Sequence, residues 1–136
     1  YHRPKVRLPG SGGACEIAIN AQKIYIVMRL GKRSFVDKLD FTTSAGYLDG
    51  GDAREQLGLP GAGPKLVITD KAIFDFENPE REMQLVSLHP GLTLDDVRAE
   101  MGWEVRLAPQ VGVTPVPTGE VMRLVRVELD PAGIYR

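Results

Sequence analysis

An α/β fold with an open, mostly parallel sheet, short helices and an added hairpin is what the order of apolar runs and turn residues predicts. Residues 5–29 read as strand, glycine turn, helix and strand, and the second strand carries the unbroken run Ile24-Tyr25-Ile26-Val27-Met28. Such a run fits a strand covered on both faces, as in a parallel sheet. Three runs rich in Val, Ile, Phe and Leu then follow closely, at Lys65–Thr69, Ala72–Phe76 and Met83–His89, with the hairpin-type linker Glu77-Asn78-Pro79-Glu80 before the last. Finally, Thr93-Leu94-Asp95-Asp96 has the spacing of a capping box with Asp in place of Glu, which opens a helix.

In chain order, Lys5-Val6-Arg7-Leu8 is expected as a short strand ended by Pro9-Gly10-Ser11-Gly12-Gly13, where glycine lets the backbone turn tightly. Ala14, Cys15, Ile17, Ala18, Ile19 and Ala21 predict a mostly buried short helix up to Gln22. Lys23–Arg29 is expected as a central strand. Phe35–Phe41 is mixed and reads as a further short strand or a helical turn, before a loop from Thr42 to Gly51 that holds three glycines. Asp52–Leu57 suits a helical turn, and Gly58–Pro64 is a second breaker cluster. The three strand-like runs should pair antiparallel or mixed. The capped helix should run from Leu94 to Met101 and stop at Gly102, with a strand from Trp103 to Leu107. Three prolines make Pro109–Pro117 an extended surface connection. Thr118 can cap a last helix in which Val121, Leu124 and Val125 share a face; Val125, Val127 and Leu129 also alternate as in a strand, and helix is the reading adopted.

Composition narrows the classes of function. With 136 residues, 43% hydrophobic and 26% charged, the chain has globular proportions and fits one domain, residues 1–136. No stretch approaches the roughly 18 apolar residues of a membrane span. The single cysteine, Cys15, excludes an internal disulfide framework and a cysteine-based zinc site, and points to a reducing compartment, with the cytoplasm as default. The opening Tyr1-His2-Arg3-Pro4 has neither Met nor a signal-peptide pattern and reads as the interior of a longer chain. Up to Lys38, eight Lys or Arg face only Glu16 and Asp37, while the remainder carries a charge of −7. A basic segment beside a glycine turn suits an anionic ligand, although cations flanking apolar strands have the same composition. Nucleic-acid binding would need a larger excess with interleaved aromatics.

The turn Gly10-Ser11-Gly12-Gly13-Ala14 is the leading site candidate. Bare amides at a helix N-terminus carry the positive end of the helix dipole, which suits an anion or a developing oxyanion, whereas a tight turn packing helix on strand needs the same glycines. It is not a Walker loop, because Ala14-Cys15 replaces Lys and Ser or Thr, nor a dinucleotide fingerprint, because Cys15 stands at the third glycine position. A β-branched side chain at Gly13 would resist the positive φ expected of such a turn. Cys15 has no histidine nearby in sequence and reads as a small packed side chain. His2 and His89 alone make no metal site, and Asp49, Asp52, Asp70 and Asp75 lack metal-loop spacing.

The string Leu8-Pro9-Gly10-Ser11-Gly12-Gly13-Ala14, with Ile17-Ala18 after it, resembles the glycine loop of the β subunit of family I CoA-transferases. The similarity continues through Phe41-Thr42-Thr43-Ser44-Ala45-Gly46-Tyr47-Leu48-Asp49-Gly50-Gly51, Arg54-Glu55, Gly63-Pro64, Val67-Ile68-Thr69-Asp70 and Ser87-Leu88-His89-Pro90-Gly91-Leu92-Thr93, and is strongest to the glutaconate CoA-transferase β-like group. The resemblance implies the CoA-transferase (NagB/RpiA-like) type of open α/β fold, an α-subunit partner in a hetero-oligomer, and acyl-CoA and carboxylic acid substrates. No permanently bound cofactor, metal, nucleic acid or membrane is implied. In the family a β-subunit glutamate attacks the acyl-CoA, forms a glutamyl-CoA thioester and returns CoA to a second carboxylate. Its Ser-Glu-Asn-Gly-type motif precedes the glycine loop; the motif does not occur here and Glu16 does not match its position, so the nucleophile is not in this chain, which reads as the C-terminal portion of such a β chain. By the same resemblance, backbone amides of Gly12, Gly13 and Ala14 are oxyanion donors and Gly10, Ser11, Gly12 and Gly13 contact CoA. Ser44–Gly51 is either a wall of the acyl pocket or a structural loop. A ring-opening hydrolase acting on CoA thioesters, a non-catalytic anion- or nucleotide-binding module and a docking domain remain the alternatives.

Overall fold

Five strands hydrogen-bond in chain order in the computed structural model, which describes residues 10–134. β1 (Ile24–Val27) runs parallel to β2 (Pro64–Ile68), β2 antiparallel to β3 (Ala72–Asp75), β3 antiparallel to β4 (Gln84–Leu88), and β4 parallel to β5 (Arg106–Val113). The expected class is therefore the observed one, with parallel pairs outermost and the added hairpin in the middle. The expected strand Lys5–Leu8 lies outside the described residues.

One face of the hairpin carries the core. Ala72 and Phe74, two apart on β3, bury the same face, and Val67 and Leu85 join them from the neighbouring strands. Helix α3 (Leu94–Arg98) covers them with Val97, followed by Met101 and Val105. The capping box is complete: the Asp96 N–H donates to Thr93 Oγ1 at 3.3 Å, and the Thr93 N–H donates to Asp96 Oδ2 at 2.8 Å. The helix was expected to reach Met101; instead its last turn tightens, with Glu100 and Met101 amides reaching Val97 and Arg98 carbonyls three residues back. Gly102 then donates to the Phe35 carbonyl at 2.8 Å, and a Cβ there would lie 2.7 Å from that oxygen. Only glycine permits so close an approach.

Four expectations are corrected. Lys23–Arg29 is an edge, not a centre, among the described residues: β1 alternates, and Tyr25 and Val27 remain 54% and 76% exposed. Unbroken apolar sequence fits two-sided burial but does not supply the second covering layer. Helix α1 (Gly12–Asn20) forms close to the expected place yet buries nothing, with Ile17 70% exposed, because its apolar residues are spread around the helix and form no stripe. Phe35–Phe41 is neither strand nor helical turn but a series of bends after the turn at 32–34, and Phe35 enters the core as a loop residue, its ring 6.3 Å from Phe74 and 6.4 Å from Trp103. The last strand starts at Arg106 and continues through Pro109 to Val113, where an extended connection was expected. A register shift opposite Leu85–Ser87 accommodates Pro109, which cannot donate to a regular ladder. Helix α4 (Gly119–Arg123), with Thr118 accepting from the Val121 N–H, continues as a π-helical segment Leu124–Leu129, so the helical reading holds and the strand alternative does not.

Candidate functional site

The glycine turn enters α1 directly. Ser11 occupies the N-cap without a side-chain cap bond, and the first helical bond runs from the Cys15 N–H to the Ser11 carbonyl at 3.0 Å. The amides of Gly12, Gly13 and Ala14 therefore precede the intrahelical ladder and point outward at the positive end of the nine-residue helix. Gly12, Gly13 and Ala14 are exposed, and a Cβ at Gly12 or Gly13 would meet nothing among the described residues within 4 Å. Neither glycine has positive φ, contrary to the expectation for Gly13: both are helical. Their lack of side chains opens the turn; it does not bend it.

At the other end of α1 the structure brings together what the sequence kept apart. Helix α2 (Ala53–Gln56) places Arg54 inward, only 6% exposed. Its guanidinium donates to the carbonyls of Gly61 (2.7 and 3.1 Å), Gly46 (2.7 Å) and Ile19 (3.4 Å). Gly61 closes the junction, donating its own N–H to the Ile19 carbonyl at 2.8 Å, and a Cβ on it would sit 2.3 Å from that oxygen. One buried cation thus fastens the end of α1, the 42–51 loop and the second breaker cluster, and covers carbonyls at the negative end of the helix. Arg54 was missed as a site-forming residue. The signal was present: one arginine between two glycine clusters, whose bare carbonyls match the five donors of a guanidinium.

The 42–51 loop lines an open cavity of about 570 Å³ with Leu39, Thr42, Ser44 and Leu48. Leu48 holds φ 57° and Gly46, Gly50 and Gly51 are also left-handed, which winds the loop tightly. Tyr47 anchors it: its hydroxyl donates to the Pro64 carbonyl at 2.7 Å, and its ring packs on Phe76 at 5.1 Å. Beside it a cavity of about 310 Å³ is lined by Gln22, Lys23, Tyr47, Gly63, Lys65 and Arg81. Lys65 pairs with Glu77 at 2.5 Å, and this exposed pair raises the lysine pKa and lowers that of the glutamate.

The remaining candidates are structural. Cys15 is a half-buried free thiol in the first turn of α1. Asp70 accepts the Leu30 N–H at 2.8 Å, which holds its carboxyl below the ordinary aspartate range. His89 sits just after β4, its Nε2 2.8 Å from the Thr69 carbonyl and its Nδ1 2.9 Å from Thr114 Oγ1. A carbonyl only accepts, so the Nε2–H donates to Thr69, and in the neutral ring Nδ1 accepts a hydrogen bond from the Thr114 hydroxyl. Glu16 is exposed on α1, and Asn20 donates to its carbonyl. Among the described residues no group of three or more His, Cys, Asp or Glu could hold a metal ion, and no helix is long and apolar enough to cross a membrane.

Residues 1–100 match the family model described as Coenzyme A transferase, and the chain belongs to that family. It is 51% identical over 118 residues to the β subunit of the 3-oxoadipate CoA-transferase of Pseudomonas knackmussii, covering 87% of this chain and 45% of the relative. The β subunit of the glutaconate CoA-transferase of Acidaminococcus fermentans is 42% identical over 136 residues, 99% of this chain and 50% of its own. The crystal structure of that enzyme superposes with a TM-score of 0.83 over 99% of this chain and 52% of the other, at 38% identity. Rhodococcus jostii IpdAB superposes with a TM-score of 0.80 over 98% and 53%, at 30% identity. The chain spans about half the length of the relatives it matches.

Proposed function

We propose that this chain supplies the β-subunit share of an enzyme that moves CoA between carboxylic acids, working with an α subunit in the reducing cytoplasm. The observation that carries it is the open amide turn at Gly12-Gly13-Ala14, in a chain whose relatives at 51% and 42% identity are CoA-transferase subunits. Transfer begins when a glutamate carboxylate attacks the thioester carbonyl, whose oxygen takes up negative charge; the CoA thiolate leaves and then displaces the departing acid to give a glutamyl-CoA thioester. That glutamate lies outside this chain. What the chain contributes is the oxyanion position: amides fixed by α1 and aimed outward stabilise the charge without reorganising at the moment of reaction. Gly10 and Ser11 border the approach to these amides. The likeness to IpdAB, whose IpdB chain in Rhodococcus jostii is named a cholesterol ring-cleaving hydrolase, favours a second reading in which water is the acceptor.

Gly13→Val in the native assembly tests the turn. A side chain is accommodated there by the fold, so the thermal transition should be unchanged. It crosses the approach to the amides, so kcat should fall about 10²–10³-fold, the effect of losing one oxyanion donor. Unchanged kcat in the folded variant would remove the turn from the mechanism. Turnover in ¹⁸O-water separates the readings, because only the hydrolase incorporates solvent oxygen into the product acid.

A further inference from the structure

We infer that Arg54 is a positioning residue for the reaction: through the junction of Gly61 with Ile19 it sets the orientation of α1, and thereby the aim of the Gly12-Gly13-Ala14 amides. The consequence for turnover rests on the functional reading above; the linkage rests on contacts of its own. Helix α1 has little else to orient it. It buries no side chain among the described residues, so no packed apolar face fixes its tilt. Beyond its flanking residues, hydrogen bonds from other described segments reach it at a single atom, the Ile19 carbonyl oxygen. That oxygen accepts from the Gly61 N–H at 2.8 Å and from Arg54 Nη2 at 3.4 Å. Gly61 is in turn held by Arg54, whose Nε and Nη2 both donate to its carbonyl, at 3.1 and 2.7 Å. The contacts therefore run from guanidinium to Gly61, and from Gly61 to the helix.

Two features make that connection stiff enough to aim a helix. The Gly61 backbone lies so close to α1 that a Cβ on it would stand 2.3 Å from the Ile19 oxygen and 2.6 Å from the Ala21 oxygen, so no flexible side chain intervenes between the two backbones. Arg54, only 6% exposed, also donates to the Gly46 carbonyl at 2.7 Å, so its planar fork is gripped from two further segments and does not swing. The restraint acts at the end of α1 farthest from the amides, where an angular error has its longest lever. Nine helical residues span about 13 Å, so a tilt of about 5° at the junction carries the amides about 1 Å. A misplacement of that size costs about 10²-fold in rate. It barely alters the binding of a thioester whose carbonyl oxygen has not yet taken up charge.

Steady-state kinetics of the native assembly, well below every thermal transition, test this with Arg54→Met and Arg54→Lys. Arg54→Met should lower kcat about 10²-fold with KM unchanged, and Arg54→Lys about tenfold, because an ammonium does not fork. A smaller folded fraction would also lower kcat, so the test turns on combining Arg54→Met with Gly13→Val. A merely structural loss multiplies with that of Gly13→Val, whereas a loss that acts through the amides does not; the double variant should be no slower than Gly13→Val alone. Should Arg54→Met not assemble, Arg54→Lys is read in the same pair. Multiplied losses, or an unchanged kcat in Arg54→Met where Gly13→Val does slow turnover, would overturn the proposal. The crystal structure of the Arg54→Met assembly gives a readout apart from activity: Gly13 should move about 1 Å against β2 and β3, and an unmoved turn would equally overturn it. A displaced turn in an assembly whose kcat resists Gly13→Val would leave the linkage standing and overturn the oxyanion reading instead.

Discussion

Arg54→Met keeps most of the side-chain length while deleting every donor that fastens α1, the 42–51 loop and the 58–63 turn. The two shortest contacts, each 2.7 Å to the Gly46 and Gly61 carbonyls, are hydrogen bonds to a charged group, worth about 1.5–3 kcal/mol apiece. The Gly46 contact is only partly buried and water replaces some of it, whereas the Gly61 carbonyl is left dry; the 3.1 and 3.4 Å contacts add little. A net loss of about 3 kcal/mol follows, or a fall of about 10 °C in Tm for a domain of this size. Arg54→Lys should recover less than half, because an ammonium cannot fork between carbonyls on separate segments. Denaturant unfolding of the native assembly measures the loss. Hydrogen exchange at Gly61, whose N–H donates to Ile19, locates it. A loss below about 1 kcal/mol, or full rescue by lysine, would refute the view that one guanidinium organises this corner.

Gly61→Ala should destabilise by about 2–3 kcal/mol, read from the same unfolding curves, because its Cβ would overlap backbone oxygens that cannot rotate away. Thr93→Ala should cost about 1 kcal/mol by loss of the cap, and Thr93→Ser should restore most of it. Asp70 and Asp96 both have pKa values lowered in the fold, Asp70 by the Leu30 amide and Asp96 by Thr93. Their contribution is therefore complete above the unfolded value of about 3.9 and lost as pH falls through the lower folded value. Acid unfolding of Asp70→Asn should show a shallower decline below about pH 4, and an unaltered profile would remove Asp70 from that dependence.

Much of the fold was legible because local rules and tertiary structure agree in it. Thr93 and Asp96 specify their cap within four residues, and the hairpin linker at 77–80 leaves little choice of partner for the strands beside it. Two of the failures share one cause: Ile24–Met28 and the helix after the glycine turn are apolar without saying what covers them, and composition cannot supply the other layer. Phe35 was misplaced because a loop residue can bury as deeply as a strand residue when a glycine, here Gly102, lets its backbone come close. At the site, the glycine turn was read correctly as exposed amides at a helix start but wrongly as a left-handed bend. Arg54 escaped because its partners are backbone carbonyls, which no side-chain motif records.

The placement of parallel pairs outside an antiparallel centre has a kinetic consequence. Strands β2, β3 and β4 lie within residues 64–88 and close short loops, whereas joining β1 to β2 closes the chain from 28 to 63 and joining β5 to β4 closes it from 89 to 105. Loop-closure entropy favours the central meander as the folding nucleus, with β1 the last strand to dock. The glycine turn and α1 hang from β1, so the exposed amides of Gly12, Gly13 and Ala14 are fixed only after the remainder of the sheet has formed. Substitutions around Phe74 should slow folding, and substitutions around Ile26 should chiefly hasten unfolding.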